Sequence, residues 1–233
     1  MKKVCVIGGS GFMGSHTADE LSRRGYAVTI FDRIASPWLR EDQEMIEGDL
    51  MDISAVKSAM SGADYVYHFA GIADIGEAKS SPYDTIESNV MGVTNTLEAS
   101  IECGVSQFVY ASTMYVYSNH GSFYRASKQA AEVIIEAYHE KFDLDFTLLR
   151  YGSLYGPRSQ DWNGMRRFAT QIIKDGRLDY SGDGCEMREY IHVHDAARLS
   201  VDVLDKQHVN SAITITGQQL LRVDDLISIL FEI

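Results

Sequence analysis

Three side chains within TMYVYSNHGSFYRASK, residues 113–128, are of the types needed to take a proton from a hydroxyl group. Thr113 offers a hydroxyl, Tyr124 a phenol and Lys128 an ammonium. Tyr124 and Lys128 are four residues apart, so on a helix they project from one face. A free tyrosine, with a pKa of about 10, is a poor base at neutral pH. Positive charge held beside it favours the phenolate and makes it a usable general base. Thr113 would hydrogen-bond the same substrate hydroxyl and keep it in line. A bare Tyr-x-x-x-Lys pair is equally at home on an ordinary helix surface. The chemistry therefore depends on what the rest of the chain holds in front of these residues.

Near the N-terminus, VIGGSGFMGSHTADEL follows an apolar run and opens a helical one. Gly8, Gly11 and Gly14 recur every three residues. The first permits a tight turn, the second lets backbone approach a pyrophosphate, and the third allows close packing of helix on strand. The helix N-terminus then presents free N–H groups to the phosphates. Asp32 ends the next apolar run, in TIFDR, where a carboxylate accepts the hydroxyls of an adenosine ribose and repels a 2′-phosphate. That favours NAD over NADP, although Arg33 beside it would suit a 2′-phosphate. Asp32 is otherwise a plain turn residue. Asp49, in EGDL, either meets the adenine edge or neighbours a helix cap. With a dinucleotide in place, one group takes the O–H proton of a substrate while the C–H hydride leaves for the cofactor.

The elements that must position these residues follow from periodicity. KVCVI (3–7), AVTIF (27–31), YVYHFA (65–70), FVYAS (108–112) and FTLLRY (146–151) read as buried strands, with a further strand before EGDL. Helices are expected at about 12–24, 54–61, 83–103 and 123–141, with Asp52 or Ser54 capping the second. Such alternation predicts an α/β fold, a doubly wound parallel Rossmann sheet, over residues 1–151. Thr113 then lies at the carboxyl edge of the sheet, where ligands of such folds bind. From 152 to 233 the pattern loosens into a loop (YGPRSQDWNG), helices near 164–175, 194–206 and 223–231, and strands near 188–193 and at AITIT. This part reads as a small, shortened substrate lobe interleaved with further strands of the sheet.

Composition narrows the partners. The formal net charge of -12 disfavours nucleic acid and anionic membrane surfaces, both of which need a basic face. No run of about 18 apolar residues suggests a membrane span. The apolar run in MKKVCVIGG is cut off by glycines, so no secretory signal is read there. Cys5, Cys103 and Cys185 are odd in number and widely spaced, which suggests neither disulfides nor a metal site and agrees with a cytoplasmic protein.

Five ordered motifs together resemble the extended short-chain dehydrogenase/reductases of the nucleotide-sugar epimerase/dehydratase kind. They are GGSGFMG, HFAG with NVMGVTNTLEAS, STMYVYS with YRASK, LRYGSLYGPR, and GDGCEMREYIHVHDAA. The resemblance implies that Tyr124 is the catalytic base, Lys128 its partner and Thr113 the assisting hydroxyl. It implies that Phe12 and Met13 join the glycine loop around NAD. Leu50, His68, Phe69, Ala70, Gly71, Asn89 and Tyr151 are expected near the same cofactor. Ser153, Arg158 and Arg188 are expected on the substrate, a nucleotide-diphosphate sugar, with Arg188 gripping its phosphates. Arg188 would otherwise pair with a carboxylate such as Glu186. A homodimer through the helices near 83–103 and 123–141 is also implied.

Departures from that family narrow the reaction. Its dehydratases and decarboxylases place an acidic residue close after the threonine, where this chain has Met114 and Tyr115. No cysteine stands there either, against inversion by proton abstraction. Ser153 replaces a usual asparagine, and SNHGSF replaces a longer, proline-rich stretch before Tyr124. The expectation is an NAD-dependent epimerase acting at C4 of the sugar by hydride removal and return. The alternatives are a ketoreductase or dehydrogenase that releases its cofactor, and a non-catalytic dinucleotide-binding sensor.

Overall fold

The computed structural model describes residues 1–233. β1 (Lys3–Ile7) lies inside a seven-stranded sheet, between β2 (Ala27–Asp32) and β4 (Tyr65–His68). β3 (Gln43–Glu47) pairs outside β2, while β5 (Gln107–Thr113), β6 (Asp145–Tyr151) and β9 (Ser211–Ile215) follow outward from β4. Every pairing is parallel, so all seven strands end at one edge. The strand order reverses at β1, which opens a crevice above the carboxyl ends of β1 and β4.

The sheet is buried on both faces, which is why its strands read as continuous apolar runs. Successive side chains of β1 point opposite ways. Val4 and Val6 join Ile30, Val109 and Leu149 on one face, under α1 (Phe12–Arg23) and α8 (Val193–Asp202). Cys5 and Ile7 join Phe31, Phe108 and Leu148 on the other. That face is covered by α2 (Ile53–Ala59), α5 (Gly92–Cys103) and α6 (Ser122–Phe142). Each fully buried aliphatic side chain contributes about 1.5–3 kcal/mol, so the two layers supply most of the drive to fold.

The helix expected near 83–103 runs from Pro82 to Cys103, with a π-helical turn inside it, and a further short helix that was not expected precedes it. α3 (Ile75–Ser80) and α4 (Pro82–Ile86) meet at Ser81, whose φ of -126° and ψ of 69° lie outside the helical region. Pro82 disfavours that region for the residue before it. A π-helical turn, Glu87–Met91, then leads into α5. Beyond β6, β7 (Ser153–Tyr155), β8 (Met187–His192) and β10 (Leu220–Arg222) form a separate three-stranded sheet. α7 (Gly164–Asp175) and α9 (Val223–Glu232) pack beside it through Phe168, Val223 and Leu226. β7 and β10 were not legible as strands. Each has three half-exposed or exposed residues and exists only by pairing with β8. The helix expected to reach 206 ends at Asp202.

Candidate active site

A cleft of about 1390 Å³ runs along the carboxyl edge of the large sheet and under the small one. Its floor at one end is the turn after β1. Gly8 has φ +81°, and a Cβ there would strike the backbone of Phe69 and Ala70. A Cβ on Gly14 would overlap the carbonyl oxygen of Gly8. Gly11 caps α1 without any side-chain hydrogen bond, so the first N–H groups of the helix are left for a ligand. Phe12 and Met13 line the cleft beside it. This bare, glycine-lined helix start is the cradle a pyrophosphate needs, and in that respect the residues present fit a dinucleotide.

The adjoining wall matches the same ligand. Asp32 stands at the end of β2, its carboxylate accepting from Ser10 N–H at 3.0 Å and Ile34 N–H at 3.4 Å. Arg33 is exposed beside it, and both line the cleft. Asp49 lines it too, with Oδ1 accepting from Met51 N–H at 2.8 Å, while Asp52 caps α2 as expected. Leu50 is pressed against Gly92, where a Cβ would collide with its side chain.

Phe69, Ala70 and Gly71 (φ +126°) continue the wall after β4. Asn89 holds this loop from behind and does not face the cleft. From the π-helical turn it accepts from Ile72 N–H at 2.7 Å and donates to Ile72 O and to Ser127 Oγ, both at 2.9 Å. Ser127 Oγ in turn donates to Tyr124 O at 2.9 Å. The asparagine thus ties the cofactor-side loop to the helix that carries the phenol. His68 is fully buried, and burial with Lys128 nearby holds it down to about 3, so it is neutral.

Thr113 ends β5 and caps a single 3-10 turn, Met114–Tyr117. Its Oγ1 accepts from Tyr115 N–H at 3.2 Å, which leaves its O–H free to donate. Tyr124 and Lys128 project from the first turns of α6 into the same wall. Burial around the phenol pushes it up to about 12, with the Thr113 hydroxyl working against the rise. Burial pushes Lys128 down to about 8, opposed by the charge of Glu132. Lys128 Nζ donates to Ala111 O at 2.8 Å and lies 4.7 Å from the Tyr110 ring centre and 6.0 Å from that of Tyr124. Without a ligand, desolvation thus disfavours both charges; positive charge entering the cleft would reverse this for Tyr124.

At the far end, Ser153 on β7 and Arg188 on β8 line the cleft. The Arg188 guanidinium lies 5.9 Å from the ring centre of Tyr115, and Tyr115 meets Tyr124 edge to face at 6.3 Å. Arg188 takes no part in the ion pairs that occupy Arg23, Arg24, Arg40, Arg150, Arg158, Arg166, Arg198 and Arg222. Its pairing with Glu186 is therefore not formed. Tyr151 lines the cleft but gives its hydroxyl to Ser200 Oγ at 2.6 Å. Arg158 departs from expectation. It lies outside the cleft wall, ion-paired to Asp19 at 2.8 Å and set 4.9 Å from the Trp38 ring centre, on the flank of α1. Its φ of +64° turns it there. Sequence reasoning missed Tyr115 as a wall residue, because nothing local says that a one-turn 3-10 helix carries it inward. It also missed Glu132, whose signal is the repeated spacing of four after Tyr124 and Lys128.

Residues 4–215 match the model of the NAD dependent epimerase/dehydratase family. A dTDP-glucose 4,6-dehydratase of Streptomyces antibioticus is 30% identical over 92% of this chain and 74% of its own length. A UDP-glucuronate 4-epimerase of Thermodesulfobacterium geofontis is 25% identical over 84% and 69%. Among solved structures, the UDP-glucose 4-epimerase of Thermotoga maritima with UDP-glucose superposes with a TM-score of 0.92 at 26% identity, covering 99% of this chain and 82% of that one. The UDP-glucuronic acid 4-epimerase of Bacillus cereus, in complex with UDP-glucuronic acid and NAD, gives 0.91 at 25% identity over the same shares. With its parallel sheet, its glycine cradle and its Thr113–Tyr124–Lys128 wall, the chain belongs to the NAD-dependent epimerase/dehydratase family.

Proposed function

We propose that the protein is a 4-epimerase of nucleoside-diphosphate sugars that keeps its NAD bound through turnover. The observation that carries this reading is the wall on which Thr113, Tyr124 and Lys128 meet, followed by Met114 and Tyr115 where a dehydratase would need a carboxylic acid to protonate the departing hydroxyl. Bound NAD supplies a hydride acceptor that can return what it takes. Gly8, Gly11 and Gly14 with the start of α1 would hold its pyrophosphate, and Asp32 its ribose. Tyr124 takes the proton of the sugar hydroxyl, Thr113 orients that hydroxyl, and Lys128 stabilises the phenolate. Arg188, free of ion pairs, is the cation available to the sugar's diphosphate. Anchored there, the sugar can present its other face before hydride returns.

A 4,6-dehydratase is the second reading, favoured by the most similar of the relatives named above and by Glu189, a carboxylate elsewhere on the cleft wall. Apolar residues exposed on the π-helical turn and α6, among them Met91 and Val133, support a homodimer. No helix is long and apolar enough to cross a membrane. The test is incubation of the purified protein with UDP-glucose or dTDP-glucose and no added cofactor. The C4 epimer should form, and Tyr124→Phe should lower its rate by about 10²–10⁴-fold. A deoxy-keto sugar would show the dehydratase instead. A product formed only with added NADH or NADPH would show a reductase.

A further inference from the structure

Burial lowers Lys128 to about 8, yet its usefulness depends on holding its proton. Its surroundings come from three elements. β5 gives Ala111 O at 2.8 Å and the face of Tyr110 at 4.7 Å. β4 gives His68, held neutral by burial. α6 gives Tyr124 and, one turn further on, Glu132. Behind Glu132, on β6, stands Arg150, bound to its carboxylate.

Glu132 is itself buried and is the hub of a network. Oε1 accepts from Ser112 Oγ at 2.5 Å and from Arg150 Nε at 3.0 Å; Oε2 accepts from Arg150 Nη2 at 2.6 Å. The remaining arm of Arg150 donates to the hydroxyl of Tyr117, and its guanidinium stands 4.8 Å from that ring's centre. Ser112 precedes Thr113, and Tyr117 closes the 3-10 turn that Thr113 caps. One carboxylate therefore clamps both ends of the turn that sets the catalytic hydroxyl, while sitting on the same helical face as Lys128.

We propose that Glu132 is a positioning residue: its carboxylate, counterbalanced by Arg150, keeps Lys128 an ammonium beside Tyr124 and seats the Thr113–Tyr117 turn. The proposal rests on reading Tyr124 and Lys128 as the proton-transfer pair. The two partners act on Lys128 with opposite sign. Removing the carboxylate takes away the negative charge that helps Lys128 hold its proton. Removing the guanidinium leaves it facing an unneutralised carboxylate. A purely structural pair would be loosened alike from either side.

The test is a pH titration of isotope-labelled lysine by NMR on the resting protein, with the Lys128 signal assigned from Lys128→Met. Glu132→Gln should lower the titration midpoint of Lys128 by about one pH unit, and Arg150→Gln should raise it by a similar amount. Glu132→Asp should recover part of the loss. In turnover, Glu132→Gln should move the acid limb of the kcat profile to higher pH with KM for the sugar nucleotide little changed. If Glu132→Gln does not fold, Arg150→Gln and Glu132→Asp still read the sign. Midpoints unmoved, or moved the same way by both variants, overturn the proposal. A wild type that turns over no sugar nucleotide would overturn the proposed function and leave the titration to decide this point alone.

Discussion

At the scale of the residue, the proposed chemistry rests on two groups that the protein makes harder to charge. Tyr124 is pushed up to about 12 and Lys128 down to about 8, both by burial. The Lys128 shift links to stability with a definite sign. An unfolded lysine holds its proton to about pH 10.4, whereas folded Lys128 releases it near 8. Between those values the unfolded chain binds more protons, so this group makes stability rise with pH from about 8 and lets it fall back as pH drops through 8. Urea unfolding at pH 8 and pH 10 should show a rise of about 2–3 kcal/mol that is lost in Lys128→Met. Equal slopes in the two proteins would contradict it. That Thr113, Tyr124 and Lys128 would share one wall was legible because their spacing is local: a strand end, then a helix face. Arg158 was not, since its place is set by Asp19, 139 residues away in the chain, and by Trp38. Glu132 was missed for the same kind of reason, because Ser112 and Arg150 come to it from two different strands.

At the scale of the element, the start of α1 is built by exclusion. The turn closes so tightly that a Cβ on Gly14 would overlap the Gly8 carbonyl oxygen and crowd the Gly9 Cα, both backbone and unable to swing aside. Gly14→Ala should therefore open the turn at a cost of about 1–3 kcal/mol in stability and weaken NAD about 10–100-fold by calorimetry. Unchanged affinity and unchanged Tm would mean that the turn is not the cradle. The glycine spacing made this element readable in advance because it sits between an apolar run and a helical one. The segment between β4 and β5 was less readable. Pro82 marks a break, but the π-helical turn that swings Asn89 onto Ile72 and Ser127 carries no local signature.

At the scale of the whole molecule, a parallel sheet buried on both faces puts every strand's carboxyl end at one edge, and the cleft follows from that edge. Alternating apolar runs and helical periods were enough to foresee it. The small sheet was not foreseeable, because β7 and β10 become strands only when β8 lies beside them. Yet this sheet brings Ser153 and Arg188 over the cleft, so this end is the part of the cleft that tertiary pairing alone creates. The account as a whole claims that hydride leaves C4 of a sugar and returns to the same carbon inside one closed turnover. The direct measurement is the fate of deuterium placed at C4 of UDP-glucose, followed by mass spectrometry and NMR with no cofactor added. The account predicts a C4 epimer that keeps the label at C4. Label found at another carbon, or lost to solvent or to exchangeable cofactor, would contradict it.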